Sequence, residues 1–180
     1  MDLRQYKTKT SIKQAFFELL SERDFAKITV ANILERSMVG RTTFYRYYLD
    51  KYDLVEQLIA EISYNYEQTL HLHLETEDKN ITGLLDNLRE ETRELLLLRR
   101  IANKELEIDS MLKNHLMTIF QNTFVDRVKI NRPEISVNLL SALVLELLIC
   151  QEKGIFQGEE SEIDEIFDDL SQLLQLLRNN

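Results

Sequence analysis

A single proline and four glycines are all that interrupt 180 residues rich in Leu, Glu, Lys, Arg and Gln. Proline breaks a helix because it lacks the amide donor and its ring collides with the preceding turn, and glycine weakens one through its backbone freedom. A chain with so few breakers and so many strong helix formers is expected to be all-α. With 44% hydrophobic residues, it can bury a sizeable core in one domain, or in a small domain joined to a larger one.

The apolar spacing divides the chain. Ile12, Ala15, Phe16, Leu19 and Leu20 predict an amphipathic helix over about residues 8–21. Thr29, with Asn32 three positions on, reads as the N-cap of a short second helix ending near Ser37, with Ile33 and Leu34 inward. After SMVG a third helix is expected over about 41–47, then a long fourth from Lys51 to about Leu74, where Leu54, Leu58, Ile62 and Tyr66 step by four. TEDKN is the first linker, and residues 81–105 and 109–130 read as further helices. NRPEIS, with Pro133, closes that group. Two last helices follow over 136–154 and 161–179, with Gly154 as a C-terminal cap.

The ten residues RTTFYRYYLD, 41–50, hold four aromatic rings beside two arginines and two threonines. On a helix Phe44 and Tyr48 lie four apart and face inward with Val39, leaving Arg41, Thr42, Thr43, Tyr45 and Arg46 outward. Three short helices with a tight turn between the second and third meet the description of a helix-turn-helix, whose second helix enters the DNA major groove. The charge supports a polyanionic partner. Residues 1–53 carry ten Lys and Arg against seven Asp and Glu, whereas 54–180 carry twelve against twenty-four, within a formal net charge of -9. A positive segment on an acidic body orients its approach to a polyanion.

The string ITVANILERSMVGRTTFYRYYLDKYDLVEQLI, residues 28–59, resembles the second, third and start of the fourth helices of the TetR family of bacterial transcriptional regulators. Its core is Thr43, Phe44 and Tyr45, an aromatic at Tyr48 and a lysine at Lys51; Met38 and Gly40 depart from the family's usual glycine and serine, threonine or asparagine. The resemblance implies an N-terminal three-helix helix-turn-helix DNA-binding domain over 1–52, joined by the long fourth helix to a helical regulatory and dimerisation domain over 53–180. It also implies DNA contacts from Thr29, Arg41, Thr42, Thr43, Tyr45, Arg46, Tyr47 and Lys51. In that assignment Arg41 to Thr43 approach bases or nearby phosphates, Tyr45 and Lys51 hold the backbone, and Thr29 adds a backbone contact. Arginine suits bidentate contact with guanine, and threonine can offer its methyl to thymine.

The same resemblance implies a homodimer on double-stranded DNA, with a repressor controlled by an unknown small-molecule or protein effector as the expected activity. LLSALVLELLIC is apolar nearly all round and the last helix has an apolar stripe, so a four-helix seam with a second copy is expected. Its residues would be Leu139, Leu143, Leu147, Ile166, Leu170, Leu173 and Leu177. An effector pocket is expected among Leu95, Leu98, Met111, Leu116, Met117, Phe120 and Phe124, where apolar residues are equally expected of plain core. The other reading is a TetR-like activator or adaptor whose body responds to a partner protein.

No catalytic constellation, phosphate loop or nucleophile elbow is present, so neither an enzyme nor a cofactor is expected. His71 and Glu75 lie four apart, but His73 points to a different face from His71 and no Cys or further His falls nearby, and the acids of EESEIDEIFDDL cover the face opposite its apolar stripe, so no metal site is expected. Cys150 sits alone in an apolar run, which fits a reducing compartment. The N-terminus lacks a signal-peptide core, and Glu146 interrupts the longest apolar stretch short of the roughly 18 residues that span a bilayer. A cytoplasmic protein away from membranes is the expectation.

Overall fold

The computed structural model describes residues 3–76, 87–101, 106–125, 129–155, 157 and 159–178, and every regular element among them is helical. The helices are α1 (Leu3–Glu22), α2 (Val30–Ser37), α3 (Arg41–Phe44), α4 (Lys51–Glu75), α5 (Arg89–Arg99), α6 (Ile108–Phe124), α7 (Pro133–Glu152) and α8 (Glu160–Arg178), with a 3₁₀ turn at Phe25–Lys27 between α1 and α2.

Two helices begin earlier than the apolar pattern suggests, for different reasons. Thr8, Thr10 and Ser11 do not cap α1; their hydroxyls donate back to the carbonyls of Arg4, Tyr6 and Lys7, which lets hydroxylated residues sit within a helix. In α7 Pro133 occupies the first turn, where its missing N–H would have had no intrahelical acceptor, so the proline opens this helix. Gly154 ends α7 at φ +68°: its amide bonds to Gln151 O at 3.0 Å, and Ile155 N to Cys150 O at 2.9 Å. This pair of bonds is a Schellman closure, which satisfies the helix's last carbonyls.

The buried core is continuous. Ile12, Phe16 and Leu20 of α1 meet Ile33 of α2, Phe44 of α3 and Leu54, Leu58 and Ile62 of α4; the same core runs on through Leu98, Leu116 and Ile119 to Leu145 and Leu148. α4 packs against α5 and α6, α6 against α7, and α1 against both α2 and α5. α1 therefore rests directly on α5, and the N-terminal helices are joined to the rest of the chain through α4.

Among the described side chains of α7, only Val137, Ser141, Leu145 and Leu148 are buried, one stripe at helical spacing, while Ile135 and Leu139 are open to solvent. Glu146 does not shorten this helix. Residues 133–151 are long and apolar enough, by length and composition, to cross a membrane, with Glu146 among them. Only 22% of that apolar window is buried in a single chain. The described residues of α8 include none that is fully buried, and Phe167, Leu173, Leu174 and Leu176 are exposed.

A polar tie crosses from α1 to the helices behind it. Lys13 Nζ lies 2.8 Å from Glu94 Oε2 of α5 and 3.2 Å from Glu61 Oε1 of α4. Glu94 is only 8% exposed. Burial opposes the Lys13 charge, but the two carboxylates outweigh it and hold the ammonium above its ordinary pKa. Removing one partner from a buried pair leaves an uncompensated charge, whereas replacing both with apolar groups does not. Glu94→Ala is expected to cost about 2 kcal/mol in urea unfolding, and Lys13→Met with Glu94→Leu to recover most of it. A double variant as unstable as Glu94→Ala would contradict this account.

Candidate nucleic-acid interface

The approach to residues 41–48 is set by local chemistry. Thr29 Oγ1 accepts the Asn32 amide at 3.2 Å while Asn32 Oδ1 accepts the Thr29 amide at 3.0 Å, a reciprocal capping box that starts α2. Arg36, near the end of α2, grips Glu22 of α1 through both terminal nitrogens at 2.8 and 2.9 Å and reaches Glu18 at 3.1 Å. This bidentate bond holds the Glu22 carboxyl below its usual range. It fixes α2 across α1 and commits Arg36 to the protein.

α2 ends at Met38, the one non-glycine residue of positive φ among the described residues, at φ 55° and ψ 26°. This left-handed conformation crowds Cβ against the following carbonyl, which is why glycine is favoured there. The Met38 side chain is 93% exposed, so no packing compensates. Gly40 is different. It is extended at φ -67°, and a Cβ there would meet nothing within 4 Å. The backbone does not require glycine at this cap; its cost is the missing side-chain acceptor.

α3 comprises only residues 41–44, and a turn carries the chain to Tyr47. The expected helix over 41–47 is therefore shorter, because Tyr47 N closes on Phe44 O by a tighter i to i+3 bond of 2.9 Å. The two-faced arrangement is present. Phe44 is 0% and Tyr48 3% exposed, with ring centroids 5.4 Å apart, while Arg41, Thr42, Tyr45 and Arg46 are exposed and Thr43 and Tyr47 half-buried. Burial, assisted by the nearby Glu61 charge, pushes the Tyr48 phenol up to about 12, so this hydroxyl stays neutral. Tyr45 stands edge-on against Phe44 at 5.5 Å, which holds its ring at the exposed surface. Lys9 of α1 sits 5.7 Å from the Tyr47 ring centroid, a cation–π contact that holds Tyr47 to α1.

Of the eight residues expected at DNA, seven lie on α3, its following turn or the α2 N-terminus. Lys51 is placed differently. Its ammonium donates to Phe25 O at 3.0 Å and Ile28 O at 2.8 Å, and lies 4.3 Å from the Phe25 ring centroid. Desolvation lowers its pKa. Lys51 thus ties the start of α4 to the segment before α2. Three positioning residues were missed by sequence reasoning. Asp50 caps α4 by accepting the amides of Tyr52 and Asp53 at 2.8 and 2.9 Å, Asp53 accepts the Leu49 amide at 2.7 Å, and Gln57 Nε2 donates to Tyr47 O at 3.0 Å. The paired acids of LDKYD were the available signal, since Asp is a favoured N-cap.

The residues expected to line an effector pocket lie in or against the core. Leu95, Leu98, Leu116 and Phe120 belong to the core, and Met111, Met117 and Phe124 lie against it. A cleft of about 840 Å³ opens elsewhere, between α1, α4 and α5, over the Lys13 tie. Of the expected seam, Leu139, Leu170 and Leu173 are exposed and Leu143, Leu147 and Ile166 half-buried; the Leu177 side chain lies outside the described residues. Cys150 is half-buried, and His71 Nε2 lies 3.5 Å from Thr123 Oγ1. Among the described residues no group of three His, Cys, Asp or Glu converges as metal ligands do.

Residues 12–58 match the family model of bacterial regulatory proteins, tetR family. An uncharacterized HTH-type transcriptional regulator of Bacillus subtilis (strain 168), YxbF, is 35% identical over 60 residues, which are 33% of this chain and 16% of that protein's length. The crystal structure of the TetR family repressor AlkX from Dietzia sp. strain DQ12-45-1b is similar over 78% of this chain and 82% of its own, at 15% identity and a TM-score of 0.43. The matched segment contains the capping box, the turn at Met38, α3 and the Lys51 tie.

Replacing Lys51 by methionine should lower the stability of the DNA-free protein by about 2 kcal/mol in urea, because two buried carbonyls lose a charged donor. An unchanged unfolding midpoint would return Lys51 to a role at the DNA.

Proposed function

We propose that this chain, a DNA-binding transcriptional regulator of the TetR family by its N-terminal domain, reads a near-palindromic operator as a homodimer and acts there as a repressor. The observation that carries the reading is the division of residues 41–48 into a buried face, Phe44 and Tyr48, and an exposed face of Arg41, Thr42, Tyr45 and Arg46. The buried pair sets the orientation of the exposed one. In this reading Arg41, Thr42 and Thr43 meet base edges, Arg46 and Tyr47 meet bases or phosphates, and Tyr45 holds a phosphate through its hydroxyl. Thr29, its hydroxyl engaged in the capping box, adds a backbone contact at the α2 N-terminus. The N-terminal unit, residues 1–52, reads; residues 53–180 assemble and regulate.

Two copies join through α7 and α8, whose apolar faces stand uncovered in a single chain. Two-fold symmetry then sets the reading helices about 34–36 Å apart, one helical turn of DNA, or a multiple of that spacing. Control by an effector follows from the shared core. α4 packs on α5 and α6 and shares a buried core with the reading helices, so a molecule that parts these helices changes the separation of the two heads. Only an effector that binds the two arrangements unequally shifts their balance.

Selection of bound duplexes followed by anisotropy titration tests the reading. Specific binding should exceed non-specific binding by on the order of 10³, and Arg41→Ala should relax preference at particular base pairs by about 1–3 kcal/mol. Equal affinity for random duplex at moderate salt would refute it. For the seam, Leu173→Glu puts a charge on a side chain that is 57% exposed in one chain and buried in the proposed dimer. Light scattering should then report a folded monomer, with operator affinity reduced on the order of 10² or more. A monomer that binds the whole palindrome as tightly as the parent rules out the dimer mechanism.

A further inference from the structure

Two apolar anchors alone do not fix the reading segment. Phe44 and Tyr48 hold residues 41–48 to the core from one side, their ring centroids 5.4 Å apart. Apolar packing is non-directional, so it leaves the segment free to rock about the line joining these rings. The start of α3 offers little against that motion, because Gly40 caps it without a side-chain hydrogen bond. Hydrogen bonds, which are directional, act at the other end.

Both of them reach back from α4. Gln57 Nε2 donates to Tyr47 O at 3.0 Å, and the Leu49 amide donates to Asp53 Oδ2 at 2.7 Å. The two side chains, one turn apart, are themselves joined: Gln57 Nε2 lies 3.1 and 3.2 Å from the two carboxylate oxygens of Asp53. A primary amide has two N–H donors, so one serves the carbonyl and the other the carboxylate. Asp53 thereby decides which way the Gln57 amide points. Gln57, Asp53 and Tyr47 are all half-buried, where water competes less well for such bonds. The Tyr47 ring is held from α1 by Lys9, 5.7 Å from its centroid, so this residue is gripped by its backbone on one side and its side chain on another.

We propose that Gln57, oriented by Asp53, is a positioning residue for base discrimination: it stops residues 41–48 from rocking about the Phe44–Tyr48 anchor. The inference rests on the reading of residues 41–48 as the DNA-contacting segment. Gln57 acts through Tyr47 O and needs no contact with the duplex. Base contacts depend on the angle at which Arg41 and Thr42 reach a base edge, whereas non-specific attraction to phosphates is a matter of charge. Loss of the bracket therefore blurs sequence preference and leaves non-specific affinity in place. Part of the reading machinery then lies beyond residue 52, on the helix that continues into the body.

The test uses the full chain, a selected operator, operators with single base-pair changes and a random duplex. Gln57→Leu removes both donors and keeps a strong helix former, and Gln57→Ala removes them without adding apolar bulk. Both should lower the ratio of specific to non-specific affinity by about tenfold, the scale of one lost hydrogen bond, with preference reduced at several base pairs at once. Affinity for random duplex and the salt slope should match the parent. Gln57→Lys, whose ammonium can donate to Tyr47 O and pair with Asp53 one turn away, should restore most of the ratio. A purely structural role predicts another pattern: a lower urea midpoint, with every duplex weakened by the same factor. If the parent binds its operator specifically while Gln57→Leu and Gln57→Ala discriminate as well as it does, weaken every duplex equally, or are not improved on by Gln57→Lys, the positioning role is wrong and the DNA reading stands. A parent that does not discriminate between operator and random duplex removes both.

Discussion

Everything the exposed face of α3 presents depends on the burial of Phe44. A helix of four residues cannot hold itself together, because nucleation fixes several dihedral angles in return for very few hydrogen bonds. Phe44, with no exposed surface, belongs to the same buried core as Phe16, Ile33, Leu54 and Leu58, and Tyr48 follows it one turn later. The position of Arg41, Thr42 and Arg46 is therefore a consequence of packing beneath them. The neighbouring ties secure the two ends of that segment: the capping box before it, and after it Asp50, Asp53, Gln57 and Lys51 at the head of α4.

The reading unit and the body are not held apart by a linker. Their side chains share one apolar core, and Lys13 adds a charged contact from α1 to α4 and α5. Burial raises the Glu94 carboxyl above its ordinary value even though Lys13 pulls it down, so this carboxylate is held at a desolvation cost. A contact of that kind tolerates few relative positions of its partners. It makes α1 responsive to movement in α5.

The outer helices show the reverse balance. α7 and α8 carry more apolar surface than one chain covers, with Ile135, Leu139, Phe167, Leu173 and Leu174 exposed, and such surface is costly in water. The acids of α8, Asp164, Glu165, Asp168 and Asp169, are all exposed. Net negative charge on residues 54–180 and cations along α1 and α3 give the two ends opposite signs, which favours approach to a polyanion with one end first.

The sequence by itself determined the helical class, because periodicity and the scarcity of breakers are local properties. It also determined the two faces of residues 41–48 and the caps at Thr29 and Gly154, since each depends on residues within a turn or two. Tertiary structure alone decided what Lys51 does: its acceptors, Phe25 O and Ile28 O, are 26 and 23 residues away, and nothing in the local pattern separates a lysine facing phosphate from one facing carbonyls. It decided likewise that Leu98, Leu116 and Phe120 are core, because an apolar residue lining a cavity and one filling it have the same chemistry and differ only in whether neighbouring helices close over them.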